Sequence, residues 1–177
     1  MKNLLIAVLG LAVAIFFFGC AQKADPEKIE ASAKELDEKF EVAFNKEDIN
    51  GVMECYWNSP YVHLYPPDVM EIRGYEGVKS EYEKFFAENE IKGLELTNAG
   101  YMALGKFCGH WGNFSITLGL PDGQETKLEG RFNSISGLKD RKWVYILDHA
   151  SAPLPPPPTP ERMKAMMEEM TKKPMKK

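Results

Sequence analysis

The chain has 177 residues, of which 44% are hydrophobic and 11% aromatic, so it has enough apolar material for one folded domain with short attachments. It carries 22 Lys and Arg against 26 Asp and Glu, which gives a formal net charge of −4. A chain with this balance lacks the basic field that attracts phosphates, and we therefore expect no nucleic acid partner.

The N-terminal segment has the layout of an export signal. A basic start is followed by Leu4 to Phe18, a run of uncharged and mostly aliphatic or aromatic residues, and then by Gly19. The ending Phe17 to Cys20 (FFGC) resembles the lipobox of bacterial lipoproteins, although the two phenylalanines replace a usual leucine and a small residue. The resemblance implies a signal peptide at residues 1–19 and lipidation of Cys20, with residues 20–27 as a tether.

An uncleaved anchor helix is the alternative. Leu4 to Ala21 provides 18 residues without charge, near the lower limit of about 17 for a membrane span. Both interpretations place the folded domain outside the cytoplasm. We expect it to be attached to a membrane of the bacterial cell envelope, on the periplasmic side.

Two cysteines remain, and an extracytoplasmic compartment would tolerate a disulfide between them. The sequence leaves open whether Cys55 and Cys108 pair or are separate small buried residues. There is no CxxC motif and no Cys/His spacing typical of zinc, so we expect no metal, and no motif indicates a cofactor.

Three helices are predicted in the first half of the mature chain. Asp25-Pro26-Glu27 is typical of a helix start, with the aspartate as capping carboxylate, and apolar residues then recur at three- and four-residue steps up to Phe44. Asp48 is placed to cap a second, short helix, and Gly74 opens a third. Between these two helices a strand is predicted over Tyr61 to Tyr65.

After Gly93 the hydrophobic pattern changes to a period of two, which predicts strands. Four long strands are expected, separated by short turns: Leu94 to Leu104, Phe107 to Leu118, Thr126 to Gly137 and Trp143 to Ser151. Three early helices that pack on a late antiparallel sheet make an α+β domain.

The folded domain is expected to end at residue 152. Residues 153–177 begin with a Pro-rich linker, in which Pro155 to Pro158 favour a stiff polyproline rod. A short helix is predicted after it, with Met163, Met166, Met167 and Met170 on one face. This face suits docking onto a partner or onto the acidic body better than Cu(I) binding, because no His or Cys lies nearby.

Three segments, together with the order of the elements, resemble those of a known family: Ala43 to Tyr56 (AFNKEDINGVMECY), Ile72 to Phe86 (IRGYEGVKSEYEKFF) and Gly130 to Ser151 (GRFNSISGLKDRKWVYILDHAS). The family is the nuclear transport factor two-like superfamily, which includes SnoaL-like cyclases and ketosteroid isomerases. It covers residues 28–152 as a SnoaL-like domain. It implies a curved antiparallel sheet wrapped by three N-terminal helices, a cone with an internal pocket for a small-molecule ligand, and a homodimer through the sheet.

The last hairpin contains the candidates for chemistry. The resemblance implies that His149 and Arg131 face the cavity, where an imidazole could relay a proton and a guanidinium could bind a carboxylate or enolate. A hairpin that turns symmetrically at Lys139-Asp140 would instead place Arg131 opposite Asp148, as a structural pair. A bulge would then be needed to bring Arg131 to the side of His149.

Aromatic side chains are the second group of candidates for ligand binding. Tyr61, His63 and Tyr65 share one strand face, so that either all three enter the cavity or none does. Polar-tipped aromatic groups suit a flat apolar ligand with hydroxyl or carbonyl groups. Trp57 and Trp111 are further candidates, for which a place in an aromatic core is the alternative.

These observations predict a lipid-anchored SnoaL-like domain that binds a small apolar or aromatic ligand outside the cytoplasm, because no complete catalytic set can be identified. One alternative is an isomerase, cyclase or hydrolase that uses His149 with Arg131 or Asp148. Another is a dimeric protein-interaction module of the cell envelope.

Overall fold

The computed structural model describes residues 25–153, 159–164 and 167. In this part the helices are α1 (Pro26–Phe44), α2 (Ile49–Met53) and α3 (Tyr75–Glu88). The strands are β1 (His63–Tyr65), β2 (Ile72–Arg73), β3 (Glu90–Leu104), β4 (Phe107–Gly119), β5 (Glu125–Lys139) and β6 (Lys142–Ser151). Residues 160–164 are helical as well. The predicted signal segment with Cys20 and most of the Met-rich tail lie outside the described residues.

The helix boundaries follow from local chemistry. α1 begins at Pro26 after Asp25, whose side chain makes no capping hydrogen bond, so the capping role predicted for it is wrong. α2 has its predicted cap, because Asp48 Oδ1 accepts a hydrogen bond from the backbone N–H of Gly51 at 3.1 Å. α3 follows Gly74, whose φ of 78° is a conformation that glycine adopts without strain.

The strands form one open sheet in the order β2-β1-β6-β5-β4-β3. β3 to β6 pair as an antiparallel meander, as predicted, whereas β1 pairs in parallel with β6. The α+β class is confirmed, but the sheet is mixed rather than purely antiparallel. α1 packs against β3, β4, β5 and β6, so helices cover one face of the sheet. Side chains in the middle of β5 alternate between buried and exposed, because the other face is open to solvent.

The hairpin between β5 and β6 turns at Asp140 and Arg141, one residue later than the symmetric turn at Lys139-Asp140 considered above. Lys139 pairs with Lys142, and the two turn residues Asp140 and Arg141 have φ values of 49° and 64°. Two residues with positive φ match the twist of the strands in a tight hairpin. Further along, Ile146 has no partner, so a bulge shifts the register of β6 against β5 by one residue.

The shifted register corrects the predicted pairing at the strand ends. Arg131 lies opposite Ser151, and Asp148 lies opposite Ser134, so the predicted Arg131–Asp148 pair is wrong. Ser134 is buried on the covered face, and Arg131 is exposed on the open face. Asp148 therefore points towards the helices, and His149 points away from them.

The two cysteines of the domain are buried and free. Cys55 belongs to the main apolar core between the helices and the sheet, whereas Cys108 packs with Ile29 and Ala33 in a second cluster. The two thiols therefore do not pair. Burial raises the pKa of Cys55 to about 12, so this thiol stays protonated at neutral pH.

A buried carboxylate connects α1 to the sheet. Asp37 is 3% exposed, and it accepts hydrogen bonds from the hydroxyl of Tyr145 at 2.7 Å and from that of Tyr101 at 3.0 Å. His110 Nδ1 lies 3.1 Å from Asp37 Oδ2. A carboxylate only accepts, so Nδ1–H donates to Asp37, and His110 Nε2 has no hydrogen-bond partner among the described residues. One carboxylate thus holds side chains from β3, β4 and β6.

Replacing Asp37 with alanine should destabilise the fold strongly. The change leaves two hydroxyls and one imidazole N–H without an acceptor, and the loss of one partner from such a buried network costs about 3 to 5 kcal/mol. Urea unfolding followed by circular dichroism measures the loss. Asp37→Asn keeps one acceptor oxygen and should lose less; equal losses in the two variants would contradict the role given to the hydrogen bonds.

Candidate functional site

An interior pocket lies between the helices and the covered face of the sheet. Its volume is about 380 Å³, and most of its surface is apolar. It is lined by Phe40 and Phe44 of α1, Glu81, Tyr82 and Phe85 of α3, Leu64, Pro66, Pro67 and Asp68 of β1 and the following loop, and Leu94, Leu96, Phe114, Ile116, Leu128, Phe132, Ser134, Tyr145, Asp148, Ala150 and Ala152 from β3 onwards. The internal pocket that the resemblance implies is therefore present.

Two glycines of the sheet make room for the aromatic walls of the pocket. Phe114 lies over Gly130, its partner on β5, where an added Cβ would be 2.6 Å from the ring. Phe132 lies in the same way over Gly112 of β4, where the distance would be 2.7 Å. Both distances are shorter than van der Waals contact, so a larger residue at either position would displace a ring that lines the pocket.

Three polar groups of the pocket wall belong to one hydrogen-bonded chain. Asp148 Oδ2 accepts a hydrogen bond from Tyr56 at 2.6 Å, and its Oδ1 accepts one from Ser134 at 2.6 Å. The hydroxyls of Tyr56 and Tyr82 lie 2.7 Å apart. Because Tyr56 donates its only hydroxyl proton to Asp148, Tyr82 donates to Tyr56. Tyr82, Ser134 and Asp148 reach the pocket surface, whereas Tyr56 lies behind it.

Burial changes the acidity of these groups. It raises the pKa of Asp148 above its usual value, although the hydrogen bonds from Ser134 and Tyr56 act in the opposite direction. Burial also holds the pKa of Tyr56 and of Tyr82 well above the usual range, so both phenols stay protonated. Asp148 therefore takes up a proton more readily than an exposed aspartate does.

Arg131 and His149 lie on the open face of the sheet, outside the interior pocket. They contribute to a shallow depression of about 570 Å³, lined by Asn98, Trp111, Gly112, Asn113, Arg131, Phe132, Asn133, His149 and Ser151. His149 Nδ1 lies 2.9 Å from Asn133 Oδ1, and Arg131 Nε donates to Ser151 Oγ at 3.3 Å. The bulge brings Arg131 and His149 to one side of the sheet, and Asp148 is on the other.

The aromatic candidates of the first strand also lie outside the pocket. Tyr61 is 70% exposed. His63 Nδ1 lies 2.7 Å from Glu71 Oε1, and the Tyr65 hydroxyl donates to the same oxygen at 2.6 Å. Leu64, which points the opposite way, is the residue of β1 that lines the pocket. Of the two arrangements predicted for this strand face, the structure has the one in which none of the three enters.

The two candidate tryptophans are placed on the surface of the domain. Trp57 is half-buried, with its ring 6.4 Å from that of Tyr61 and Lys139 Nζ 4.5 Å from its centroid. Trp111 is 46% exposed on the open face, and His110 lies on the covered face, as strand alternation predicts. Ligand binding by these two residues stays a prediction, and it now concerns the outer surface.

Sequence reasoning missed the pocket residues Tyr82, Ser134 and Tyr145 as functional candidates, and it named Asp148 only beside His149. One signal was available. Tyr82 stands within the apolar stripe of α3, as Asp37 stands within that of α1. A polar group at a buried helix position needs an internal hydrogen-bond partner, so such an exception to the stripe indicates a buried polar network.

No cluster of three or more His, Cys, Asp or Glu side chains in the described residues could hold a metal ion. No helix within residues 25–153, 159–164 and 167 is long and apolar enough to cross a membrane. Residues 4–21, for which a span was the alternative, lie outside these ranges.

No family model matches the chain, and no curated protein matches its sequence. Solved structures do match. A nuclear transport factor 2-like (NTF2-like) superfamily protein from Salmonella enterica serovar Typhimurium is similar with a TM-score of 0.67 at 16% identity, over 76% of this chain and 97% of that one.

Two further solved structures have the same architecture. A provisionally assigned dehydratase of the NTF2-like family from Streptomyces avermitilis has a TM-score of 0.65 at 14% identity, over 73% of this chain and 100% of that one. A provisionally assigned aromatic ring hydroxylase from Novosphingobium aromaticivorans has a TM-score of 0.62 at 16% identity, over 74% and 93% of the two chains. Similarity at this level of identity shows the fold, and the fold suggested by the three sequence segments is confirmed. The chain has the NTF2-like cone fold.

Proposed function

We propose that the domain binds a small, mainly apolar ligand in the interior pocket, with one polar group of the ligand held at Asp148. The observation that carries the proposal is the pocket itself: a cavity of about 380 Å³ with mostly apolar walls and a hydrogen-bonded carboxyl group in one of them. Cavities of several hundred cubic ångströms that combine apolar walls with a few polar groups are typical of small-molecule sites.

The walls favour a ligand with aromatic or aliphatic character. Phe40 and Phe44 face the pocket from α1, and Phe114 and Phe132 face it from the sheet. Each square ångström of apolar surface that a ligand buries here contributes about 25 cal/mol. The provisional names of two similar structures, a dehydratase and an aromatic ring hydroxylase, also concern small molecules.

A proton-transfer enzyme is the second candidate, and the position of Asp148 supports it. A carboxyl group with a raised pKa in an apolar pocket can act as a general base or acid. The predicted pair of His149 and Arg131 is less suited to catalysis, since it lies on the solvent-facing side of the sheet beside exposed residues. Binding takes precedence because the pocket lining contains no histidine within the described residues, and because Tyr82, the phenol in the hydrogen-bonded chain to Asp148, directs its proton at Tyr56.

Attachment to the cell envelope through a lipidated Cys20 is part of the proposal. It is supported by the apolar run that ends in FFGC and by the start of the folded domain only a few residues later, at Pro26. A short tether would keep the pocket close to the membrane that holds apolar ligands. Two or more acyl chains would make the attachment lasting.

The homodimer stays a prediction that concerns the open face of the sheet. On this face Met102, Leu104, Trp111 and Ile135 are each at least 40% exposed. Apolar side chains that lie together on a surface favour an interface with another protein surface. Such a dimer would cover the shallow depression and leave the interior pocket unchanged.

Filling the pocket should abolish binding of an apolar ligand. Leu128→Trp introduces a larger side chain into the pocket wall, whereas Leu138→Trp makes the same change on the same strand at a side chain that is 61% exposed. A fluorescent naphthalene probe should raise the melting temperature of the natural protein and of Leu138→Trp but not that of Leu128→Trp. Binding that survives equally in both variants would place the ligand elsewhere.

If the domain is a proton-transfer enzyme, it should exchange hydrogen for deuterium at the carbon next to a carbonyl group of its substrate. If Asp148 acts as a base, incubation in deuterium oxide with a panel of apolar ketones should give deuterium next to the carbonyl group, detected by mass spectrometry. Asp148→Asn should lower the exchange rate at least about a hundredfold, which is the usual contribution of a general base. An exchange rate that is unchanged by this substitution would remove Asp148 from the mechanism.

Replacing the proposed lipidation site tests the anchor. The full chain with Cys20→Ser should move from the membrane fraction to the soluble periplasmic fraction, because the acyl chains provide the attachment. Cys55→Ser is the matched control, since that thiol is buried in the core, and it should stay with the membranes. Unchanged fractionation of Cys20→Ser would support the uncleaved anchor instead.

A further inference from the structure

The charges around the interior pocket all have one sign. Asp148 lies in the wall, and Asp68 and Glu81 also contribute to the lining. Among the described residues that line the pocket there is no Lys, Arg or His. A ligand with a carboxylate or phosphate would meet repulsion here and no compensating cation, whereas a ligand with a positive charge would meet attraction.

The hydrogen-bonding groups of the pocket wall all act as acceptors towards a ligand. Tyr82 donates its proton to Tyr56, Tyr56 donates to Asp148, and Ser134 donates to the other oxygen of Asp148. When Asp148 is ionised, each hydroxyl proton of this hydrogen-bonded chain is donated to another member of the chain. The oxygens that face the pocket can therefore only accept hydrogen bonds from a ligand. A ligand group that donates is therefore complementary, and a carbonyl group is not.

Aromatic rings make up part of the pocket wall near Asp148, where an ammonium group that lies over a ring face would be attracted by it. Phe40 and Tyr82 pack edge to face with their centroids 6.0 Å apart, and Phe40 and Tyr145 do so at 5.7 Å. All three rings line the pocket beside Asp148. The faces of aromatic rings carry partial negative charge and attract ammonium groups, most strongly where water is excluded.

From these three observations we infer that the ligand is an organic cation, an apolar framework that carries an ammonium group. The ammonium donates hydrogen bonds to Asp148, and the framework packs between the aromatic side chains of α1 and the sheet. Removing an ammonium group from water is costly, and in this pocket the cost is offset by a carboxylate partner at hydrogen-bonding distance. The inference rests on the proposed binding function of the same pocket and names the ligand class.

A matched series of probes separates this inference from the proposed function. Phenylbutylammonium, phenylbutanol, pentylbenzene and phenylpentanoate share one phenylbutyl framework and differ in the terminal group. Isothermal titration calorimetry on the natural protein should give the affinity order ammonium, alcohol, hydrocarbon, carboxylate, with the ammonium at least about tenfold tighter than the hydrocarbon. If the hydrocarbon or the carboxylate binds as tightly as the ammonium, the inference is wrong while the binding function stands. If none of the four binds, both are wrong.

Two variants identify the group responsible. Asp148→Asn removes the negative charge with little change in size, and it should abolish the preference for phenylbutylammonium while pentylbenzene still binds. Glu83→Gln removes the same charge from an exposed position of α3 that does not line the pocket, and it should leave the preference unchanged. Circular dichroism confirms that both variants are folded. A preference that persists in folded Asp148→Asn would overturn the assignment.

The pH dependence of binding gives a further readout. A cation binds the ionised form of Asp148, so below the pKa of this group each binding event must release a proton and is weakened. Asp68 and Glu81 also line the pocket, and Asp37 and His110 lie near enough to act on Asp148, so the comparison is made with Asp148→Asn, which keeps all four. Affinity for phenylbutylammonium should rise with pH through the raised pKa of Asp148 in the natural protein, the rise should be smaller in Asp148→Asn, and the affinity for pentylbenzene should not rise. An ammonium affinity that is independent of pH across the acidic range would contradict a contact with Asp148.

Discussion

The pairing of β5 with β6 determines which chemical groups reach the pocket. Successive side chains of a strand point to opposite faces of the sheet. A shift of one position therefore exchanges the side chains on the covered face with those on the open face. The unpaired Ile146 produces such a shift, and as a result Asp148 faces the helices and His149 faces solvent. Without the bulge, the imidazole would enter the apolar cavity and the carboxylate would leave it. The presence of Asp148 in the pocket wall thus depends on a single inserted residue.

Two hydrogen-bonded carboxylates, the buried Asp37 and the partly buried Asp148, organise the space between the helices and the sheet. Asp37 holds Tyr145 by its hydroxyl, and the ring of Tyr145 lines the pocket. Asp148 holds Tyr56, which in turn fixes Tyr82 of α3. Both phenols on the pocket wall are therefore fixed by hydrogen bonds to groups outside the cavity. A ligand meets walls that are already ordered, which lowers the entropy cost of binding.

Much of the fold could be predicted from local patterns, because helical spacing, period-two alternation and turn residues are properties of short segments. Asp48 as a cap and Gly74 as a helix start are examples. The residues of the pocket were harder to predict, because they depend on the register between neighbouring strands. The position of the turn at Asp140 and Arg141 and the bulge at Ile146 involve contacts between strands, and neither leaves a distinct local pattern. The parallel pairing of β1 with β6 is non-local for the same reason.

Polar residues within the apolar faces of the helices were a signal for the pocket that the sequence contained. Asp37 and Tyr82 interrupt otherwise apolar helix faces, and each has its hydrogen-bond partner on another element. A polar group in a core costs free energy unless it is paired, so such interruptions imply partners even where the partners cannot be identified. The aromatic residues near Tyr61, in contrast, formed a visible cluster in the sequence and lie outside the pocket, because proximity along the chain does not determine the direction of a side chain.

The direction of the hydrogen bonds around Asp148 favours ligand binding over catalysis as the function of this pocket. Catalysis at a carbonyl compound needs a base at carbon and also a donor to the oxygen on which negative charge develops. Tyr82 is the phenol that reaches the pocket from this chain, and its proton is directed at Tyr56. A carbonyl substrate would therefore have to break the hydrogen bond that Tyr82 donates to Tyr56, and this loss would offset part of the new hydrogen bond to the substrate. An ammonium ligand needs no such rearrangement, because it donates to oxygens that already accept.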